Sequence, residues 1–416
     1  MPSRTQRIID PEPYQFDLDP LEVADLKSRL AATRWPDQLE DAGWDYGTEK
    51  SALMAVADHW ANQYDFARHF AWINSFPHFL VTVLDDVNLH FIHARSDRAD
   101  AKPLLLLHGW PGSFVEFLKI IPALTNPTDP ADPAFHLVIP SIPGFGFSPA
   151  PREEDQCLPK NIVRAFNALM VKLGIDNSYR GYTQYFAQGG DWGSLLGRVL
   201  AIEHPLNCIG LHINMLVVPP PVTLKNIPSL VAYGLGKGHW FMTPQEVEWV
   251  NQSVKSKEQG KGYQMLHGYT PQTFGYALND SPVGLLGILY GAFHHLDPDQ
   301  RISLDEVLTD ISLYWFTQTI TTSMWLYRGG LKDSPGGNSA NAPMIAGRIT
   351  VPVGVAVFPR ELYKMPQSWA KNTLNIQHWS VMERGGHFAA LEEPDLLVGD
   401  IRKCFGSWIQ RGIVQF

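Results

Sequence analysis

The chain has only three cysteines, Cys157, Cys208 and Cys404, in 416 residues. Their odd number and wide spacing exclude a disulfide framework and a zinc site made of paired cysteines, and they read as reduced thiols. Positive charge is also scarce. The 33 Lys and Arg stand against 42 Asp and Glu, for a net charge of -9, and nowhere form a dense run. No cationic face is available for phosphates, so nucleic acid is not expected as a partner. Long hydrophobic runs are missing too. The longest uncharged stretches, such as SPVGLLGILYGAF, stop short of the roughly 20 residues that span a bilayer, and MPSRTQRIIDPEPYQF lacks the apolar centre of a signal peptide. The expectation is a soluble, cytoplasmic protein. No fixed-period repeat or low-complexity tract occurs. What is present is a globular mixture, 45% apolar, 12% aromatic and 18% charged, able to form a substantial packed interior.

Hydrophobic periodicity divides the chain. Two helical patterns, LEVADLKSRLAATRW and EKSALMAVADHWANQY, precede two strand-like runs, FLVTVL and NLHFIHARS, so residues 1–100 read as a helical region leading into a sheet. From Pro103 short apolar runs alternate with amphipathic segments: PLLLLHG, FVEFLKIIPALT, FHLVIPSIPG, IVRAFNALMVKLG, YFAQGGDWG, SLLGRVLAI and CIGLHINML. Strands buried on both faces and linked by right-handed crossovers have this texture, which predicts a mostly parallel sheet flanked by helices. The order breaks at VVPPPV, and residues 217–348 read as an inserted, mostly helical cap. Strand patterns resume at VPVGVAVFP and NIQHWSVMER, followed by a closing helix, PDLLVGDIRKCFGSWIQR. The core is thus expected over 101–216 and 349–416.

Three segments carry chemistry. QGGDWGS, residues 188–194, places Asp191 where a strand gives way to a helix, with Gly189 and Gly193 two residues to either side. This is the nucleophile-elbow pattern of the α/β-hydrolase fold with Asp at the reactive position; the bland alternative is a Gly-rich turn carrying a surface Asp. HGWPGSF, residues 108–114, follows an earlier strand, where this fold supplies a backbone N–H to an oxyanion hole, and the two donors are assigned to the amides of Trp110 and Trp192. GGHFAALEEP places His387 in a loop after the last strand, in the chain order nucleophile, acid, histidine, and VAVFPREL puts Glu361 just after the preceding strand. Asp395 and Asp400 are weaker alternatives for the acid because they follow the histidine. A carboxylate nucleophile is a poor acyl catalyst, but it can displace a leaving group from an sp3 carbon and be regenerated when water attacks its own carbonyl. Opening an epoxide and expelling a halide both fit. An epoxide oxygen leaves as an alkoxide and needs a proton donor, ideally a Tyr hydroxyl in the cap, whereas a halide needs only N–H dipoles.

With these segments in view, the chain resembles the epoxide hydrolases of the microsomal type and their soluble fungal relatives over nearly its whole length. RLAATRWPDQ, WDYGT and INSFPHF resemble the family's N-terminal region, and HGWPGSFVEF, QGGDWGS, ALNDSPVGLLG, VAVFPREL and GGHFAALEEP its other signature segments. The resemblance implies the α/β-hydrolase fold, an N-terminal meander that wraps core and cap, and a homodimer in some members. It also implies two cap tyrosines that activate the epoxide oxygen, matching Tyr263 and Tyr327. Spacing alone leaves Tyr269, Tyr276 and Tyr314 open. The membrane-anchoring N-terminal helix of the microsomal enzymes has no counterpart in the sequence. The implied reaction converts an epoxide to a vicinal diol through an ester on Asp191, hydrolysed by water that His387 and Glu361 activate, with no metal, nucleotide or redox cofactor. The aromatic content points to apolar epoxides, aryl or terpene-like. The rivals are a haloalkane dehalogenase and a catalytically silent ligand-binding member.

Overall fold

The computed structural model describes residues 7–84, 86–173, 182–218, 227–332 and 347–416. Most of the VVPPPV break expected to open the cap, and the stretch just before its expected end, lie outside the described residues. A two-residue edge strand, β1 (Glu12–Pro13), precedes helices α1 (Pro20–Ala31), α2 (Lys50–Asn62) and α3 (Phe66–Asn74). The first two match the helical patterns of the sequence. Helix α3 was not expected: it has only nine residues and is held by tertiary packing of Phe66, Phe70 and Ile73.

The sheet follows with β2 (His78–Val83), β3 (Val87–Ala94), β4 (Lys102–Leu107), β5 (Phe135–Pro140), β6 (Tyr185–Gly189), β7 (Cys208–Ile213), β8 (Ile349–Val357) and β9 (Leu374–Val381). Its spatial order is β1-β2-β3-β5-β4-β6-β7-β8-β9. Pairs from β5 through β9 are parallel and those among β1, β2, β3 and β5 antiparallel. Strands β4 and β5 are buried on both faces, which is why Leu104 to Leu107 and Phe135 to Ile139 read as continuous apolar runs rather than alternations. The segment after β4 is a 3-10 helix, Phe114–Ile120, leading into α4 (Ile121–Thr125), and α5 (Pro159–Leu173) and α6 (Asp191–Glu203) make the next two crossovers. The loops after β4, β6, β8 and β9 all leave from the carboxyl edge of the sheet, where open α/β sheets place their sites.

The cap follows β7: α7 (Ile227–Gly234), α8 (Pro244–Tyr269), α9 (Pro271–Asp280), α10 (Pro282–Leu296), α11 (Leu304–Thr317) and α12 (Ile320–Lys332). Two of these helices begin with reciprocal caps legible in sequence, Thr243 with Glu246 and Ser303 with Glu306. The N-terminal helices grip this layer. Trp60 Nε1 donates to Ser312 Oγ at 2.8 Å and Tyr64 Oη to Thr309 Oγ1 at 2.9 Å, both on α11. After β8 come two one-turn helices, α13 (Gln367–Ala370) and α14 (Ala389–Glu392), and the closing helix α15 (Pro394–Gln410). All three cysteines are free and buried. Among the described residues no helix is long and apolar enough to cross a membrane.

Candidate active site

Between the end of β6 at Gly189 and the start of α6 at Asp191 lies only Gly190. Asp191 takes φ 43°, a left-handed conformation that is costly for a side-chain-bearing residue and persists only where the surroundings impose it. The flanking glycines show what imposes it. A Cβ on Gly193 would lie 1.8 Å from the Leu107 carbonyl oxygen, and one on Gly189 would lie 2.4 Å from the Gly193 carbonyl. The chain can turn this tightly only with no side chain at either place. The turn leaves the Asp191 carboxylate at a helix N-terminus, where the Trp192 amide has no acceptor within the helix and negative charge is favoured.

The carboxylate meets the loop after β4. Trp110 N–H donates to Asp191 Oδ1 at 2.8 Å. His108, which opens that loop, is kept neutral: burial pushes it down to about 4, and its Nε2 accepts from the Ile142 amide at 3.1 Å. On the other side of Asp191, His387 Nε2 stands 3.5 Å from Oδ2, and His387 Nδ1 lies 2.8 Å from Glu361 Oε1. Glu361 and His387 are fully enclosed, while the Asp191 side chain keeps 21% of its surface accessible. Burial opposes a charge on His387, but the two carboxylates more than offset it and hold the imidazole well above its ordinary value. Glu361 Oε1 also accepts from the Leu362 amide at 2.6 Å. Sequence reasoning missed Lys364, whose buried ammonium ties down the same loop by donating to the carbonyls of Pro359 and Glu361 at 2.8 and 2.6 Å.

Two cap tyrosines join this group. The Tyr263 ring, on α8, stacks on Trp110 at 5.3 Å, and the Tyr327 ring, on α12, meets Trp192 edge to face at 4.9 Å. Burial, reinforced by the negative charge of Asp191, pushes both phenols above their ordinary value, so each keeps its proton at neutral pH. His267, one turn after Tyr263, completes an aromatic box against Trp110 and Tyr327, with ring centroids at 4.6 and 4.9 Å. The other candidates fall elsewhere. Tyr269 and Tyr276 are 50% and 70% exposed, and Tyr314 is buried with its hydroxyl donating to the Gly112 carbonyl at 3.1 Å. Asp395 is exposed, and Asp400 is bound to His212, His378 and Ser380. The structure therefore brings Asp191, His387, Glu361, Trp110, Trp192, Tyr263 and Tyr327 together and leaves the alternatives outside.

Comparison with known proteins adds independent support. Residues 11–117 match the family described as epoxide hydrolase N terminus, and residues 102–233 match the alpha/beta hydrolase fold. A putative epoxide hydrolase of Stigmatella aurantiaca is 38% identical over 94% of this chain and 84% of its own length. Epoxide hydrolase 1 of Sus scrofa is 35% identical over 95% of this chain and 88% of its own. Among solved structures, the juvenile hormone epoxide hydrolase of Bombyx mori superimposes with a TM-score of 0.85 at 28% identity, covering 98% of this chain and 96% of that one. The epoxide hydrolase of Aspergillus niger gives 0.81 at 28% identity, covering 98% of this chain and all of that one. An N-terminal region grasping the cap, an aspartate at the elbow of an α/β-hydrolase core, and relatives matched along almost their whole length lead to one conclusion: the chain belongs to the epoxide hydrolase family and is an enzyme that hydrolyses epoxides.

Proposed function

We propose that this enzyme converts epoxides to vicinal diols in two steps through an ester on Asp191. Asp191 Oδ2 attacks one epoxide carbon, the carbon–oxygen bond of the ring breaks, and the departing oxygen takes a proton from Tyr263 or Tyr327, leaving a hydroxyalkyl ester and a phenolate. A water then gives a proton to His387 Nε2 and attacks the Asp191 carbonyl carbon, while Oδ1 carries the developing charge against the amides of Trp110 and Trp192. The Cγ–Oδ2 bond breaks, the alkoxide takes the proton from His387, and the remaining proton returns to the phenolate, restoring the carboxylate. Glu361 holds the imidazole in the required tautomer and stabilises its charged form.

The observation that carries this reading is the division of labour at Asp191. One oxygen is held by the Trp110 amide, while the other faces the His387–Glu361 pair. The two neutral phenols favour an oxygen leaving group over a halide, which has no use for a proton. The indoles, phenols and imidazole around them favour an apolar epoxide.

The test is a single turnover with styrene oxide in water enriched in heavy oxygen, weighing the diol and the peptide that carries Asp191. Label in the peptide with unlabelled first-turnover diol is expected. Label appearing directly in the diol would mean that water attacks the epoxide itself and that Asp191 is no nucleophile. An Asp191→Ala protein that still forms diol would reject the assignment outright.

A further inference from the structure

A third carboxyl group stands beside this site with no part in the scheme so far. The 3-10 helix Phe114–Ile120 starts directly after the Trp110 loop and buries Phe114, Val115, Phe117, Leu118 and Ile120. Only Glu116 and Lys119 on it keep accessible surface. Lys119 is engaged by Glu306 and the Leu391 carbonyl. Glu116 instead turns back beneath the loop: a Cβ placed on Gly112 would fall 1.6 Å from Glu116 Oε1, and the carboxyl lies near the Gly109 backbone. Gly109 in turn lies against Asp191, since a Cβ there would fall 2.3 Å from Asp191 Oδ1. Glu116 and Asp191 therefore flank one short piece of backbone, and Glu116 lies within electrostatic reach of both Asp191 and His387. Its surroundings are fixed from α11, where Asp310 accepts from Ser113 Oγ at 2.5 Å and Tyr314 holds the Gly112 carbonyl.

We infer that Glu116 acts in the second half-reaction, holding the water that His387 deprotonates for attack on the Asp191 ester. The inference rests on the ester route proposed above. Burial and the nearby Asp310 raise the Glu116 carboxyl well above the usual carboxylate range, which favours its protonated form. A neutral carboxyl offers one donor and one acceptor, enough to fix a water whose remaining hydrogen points to His387 Nε2. It also places no negative charge next to Oδ1 as the tetrahedral intermediate forms, as an ionised carboxylate would.

A purely structural role is separable from this one. If Glu116 only shaped the Trp110 loop, losing it would disturb Asp191 itself and slow ester formation as well. Ester formation and ester hydrolysis are measured with styrene oxide by rapid mixing and by intact mass. Glu116→Ala is expected to leave ester formation within about threefold of wild type and slow hydrolysis by about thirtyfold or more, so that the ester accumulates. Glu116→Gln, which keeps a donor and an acceptor, should restore hydrolysis to within about threefold. Should the alanine protein fail to fold, Glu116→Met fills the same volume without polar atoms and should give the same split. Equal slowing of both halves, no slowing, or a glutamine protein as poor as the apolar ones overturns the inference. His387→Gln, run in parallel, separates the two failures. Ester trapped there with no effect at Glu116 removes Glu116 alone, whereas no trapped ester removes the ester route and the inference with it.

Discussion

Replacing Glu361 by Gln takes away one of the two charges that face His387 while keeping the shape of the side chain. Glu361 Oε1 is 2.8 Å from His387 Nδ1, and both side chains are shut off from solvent. With charge centres about 4 Å apart and an effective dielectric near 20, the lost attraction is about 4 kcal/mol, or about three pH units on the imidazole. A second cost falls on the new amide. Its oxygen can keep the Leu362 amide and Nδ1–H, but its NH2 must occupy the place of Oε2, a buried atom with no hydrogen-bond partner. That burial costs about 1–3 kcal/mol of stability. In the proposed route ester formation uses no base, so Glu361→Gln should form the ester at close to the wild-type rate. Hydrolysis depends on how strongly the imidazole takes a proton from water, and only part of the lost basicity reaches its transition state, so it should fall by roughly a hundredfold. Rapid quenching with styrene oxide, followed by weighing the protein, gives both rates. Unchanged hydrolysis would refute the role of Glu361, and an equal loss in both steps would mean that the carboxylate acts by holding the site's shape.

Further outcomes follow from the same geometry. Tyr263→Phe and Tyr327→Phe should each slow ester formation by about a hundredfold and spare hydrolysis of an ester already formed, because in the proposed route the phenols serve the departing epoxide oxygen; stopped-flow traces that show the reverse pattern would remove them from that step. Gly193→Ala forces a methyl group into the Leu107 carbonyl, and backbone has little room to yield, so a loss of about 3 kcal/mol or more and a lower melting temperature are expected. A calorimetric scan indistinguishable from wild type would contradict the crowding at the elbow. Asp310 is raised from 3.8 to about 7 by burial, so the folded state holds a proton that the unfolded chain releases. Stability from this group is complete below about pH 4 and is lost as pH rises through about 7, by up to about 4 kcal/mol. Asp310→Asn should flatten that slope in urea titrations from pH 5 to 8, and an unaltered slope would reject the shift.

Much of this was legible in the sequence, for a reason that differs from part to part. Strands buried on both faces leave continuous apolar runs, so the central sheet could be read from PLLLLHG and FHLVIPSIPG. The glycines around Asp191 are demanded by backbone contacts as local as the motif itself. His387 and Glu361 were found by their order after β9 and β8. The tyrosines were not decidable from spacing. Tyr269 lies six positions after Tyr263, which on a helix points it away from the Tyr263 face, but only the packing of α8 shows which face meets Trp110. Glu116 and Asp310 lay beyond sequence reading altogether. Glu116 is an ordinary acid just past a motif, and Asp310, which braces the same loop, comes from a cap helix far along the chain whose seat no local pattern records. Lys364 was hidden in the same way, since a buried ammonium leaves no trace in hydrophobic periodicity.

The seat of α11 makes the first hundred residues a hidden stakeholder in catalysis. Trp60 and Tyr64 clamp one flank of that helix, and Asp310 and Tyr314 on another flank brace Ser113 and Gly112, next to the amide that holds Asp191. A disturbance of the N-terminal region would pass through that one helix to the loop whose Trp110 amide holds Asp191. Heat or denaturant that first loosens α2 would silence the enzyme while the central sheet still stood, so loss of activity would precede loss of the fold.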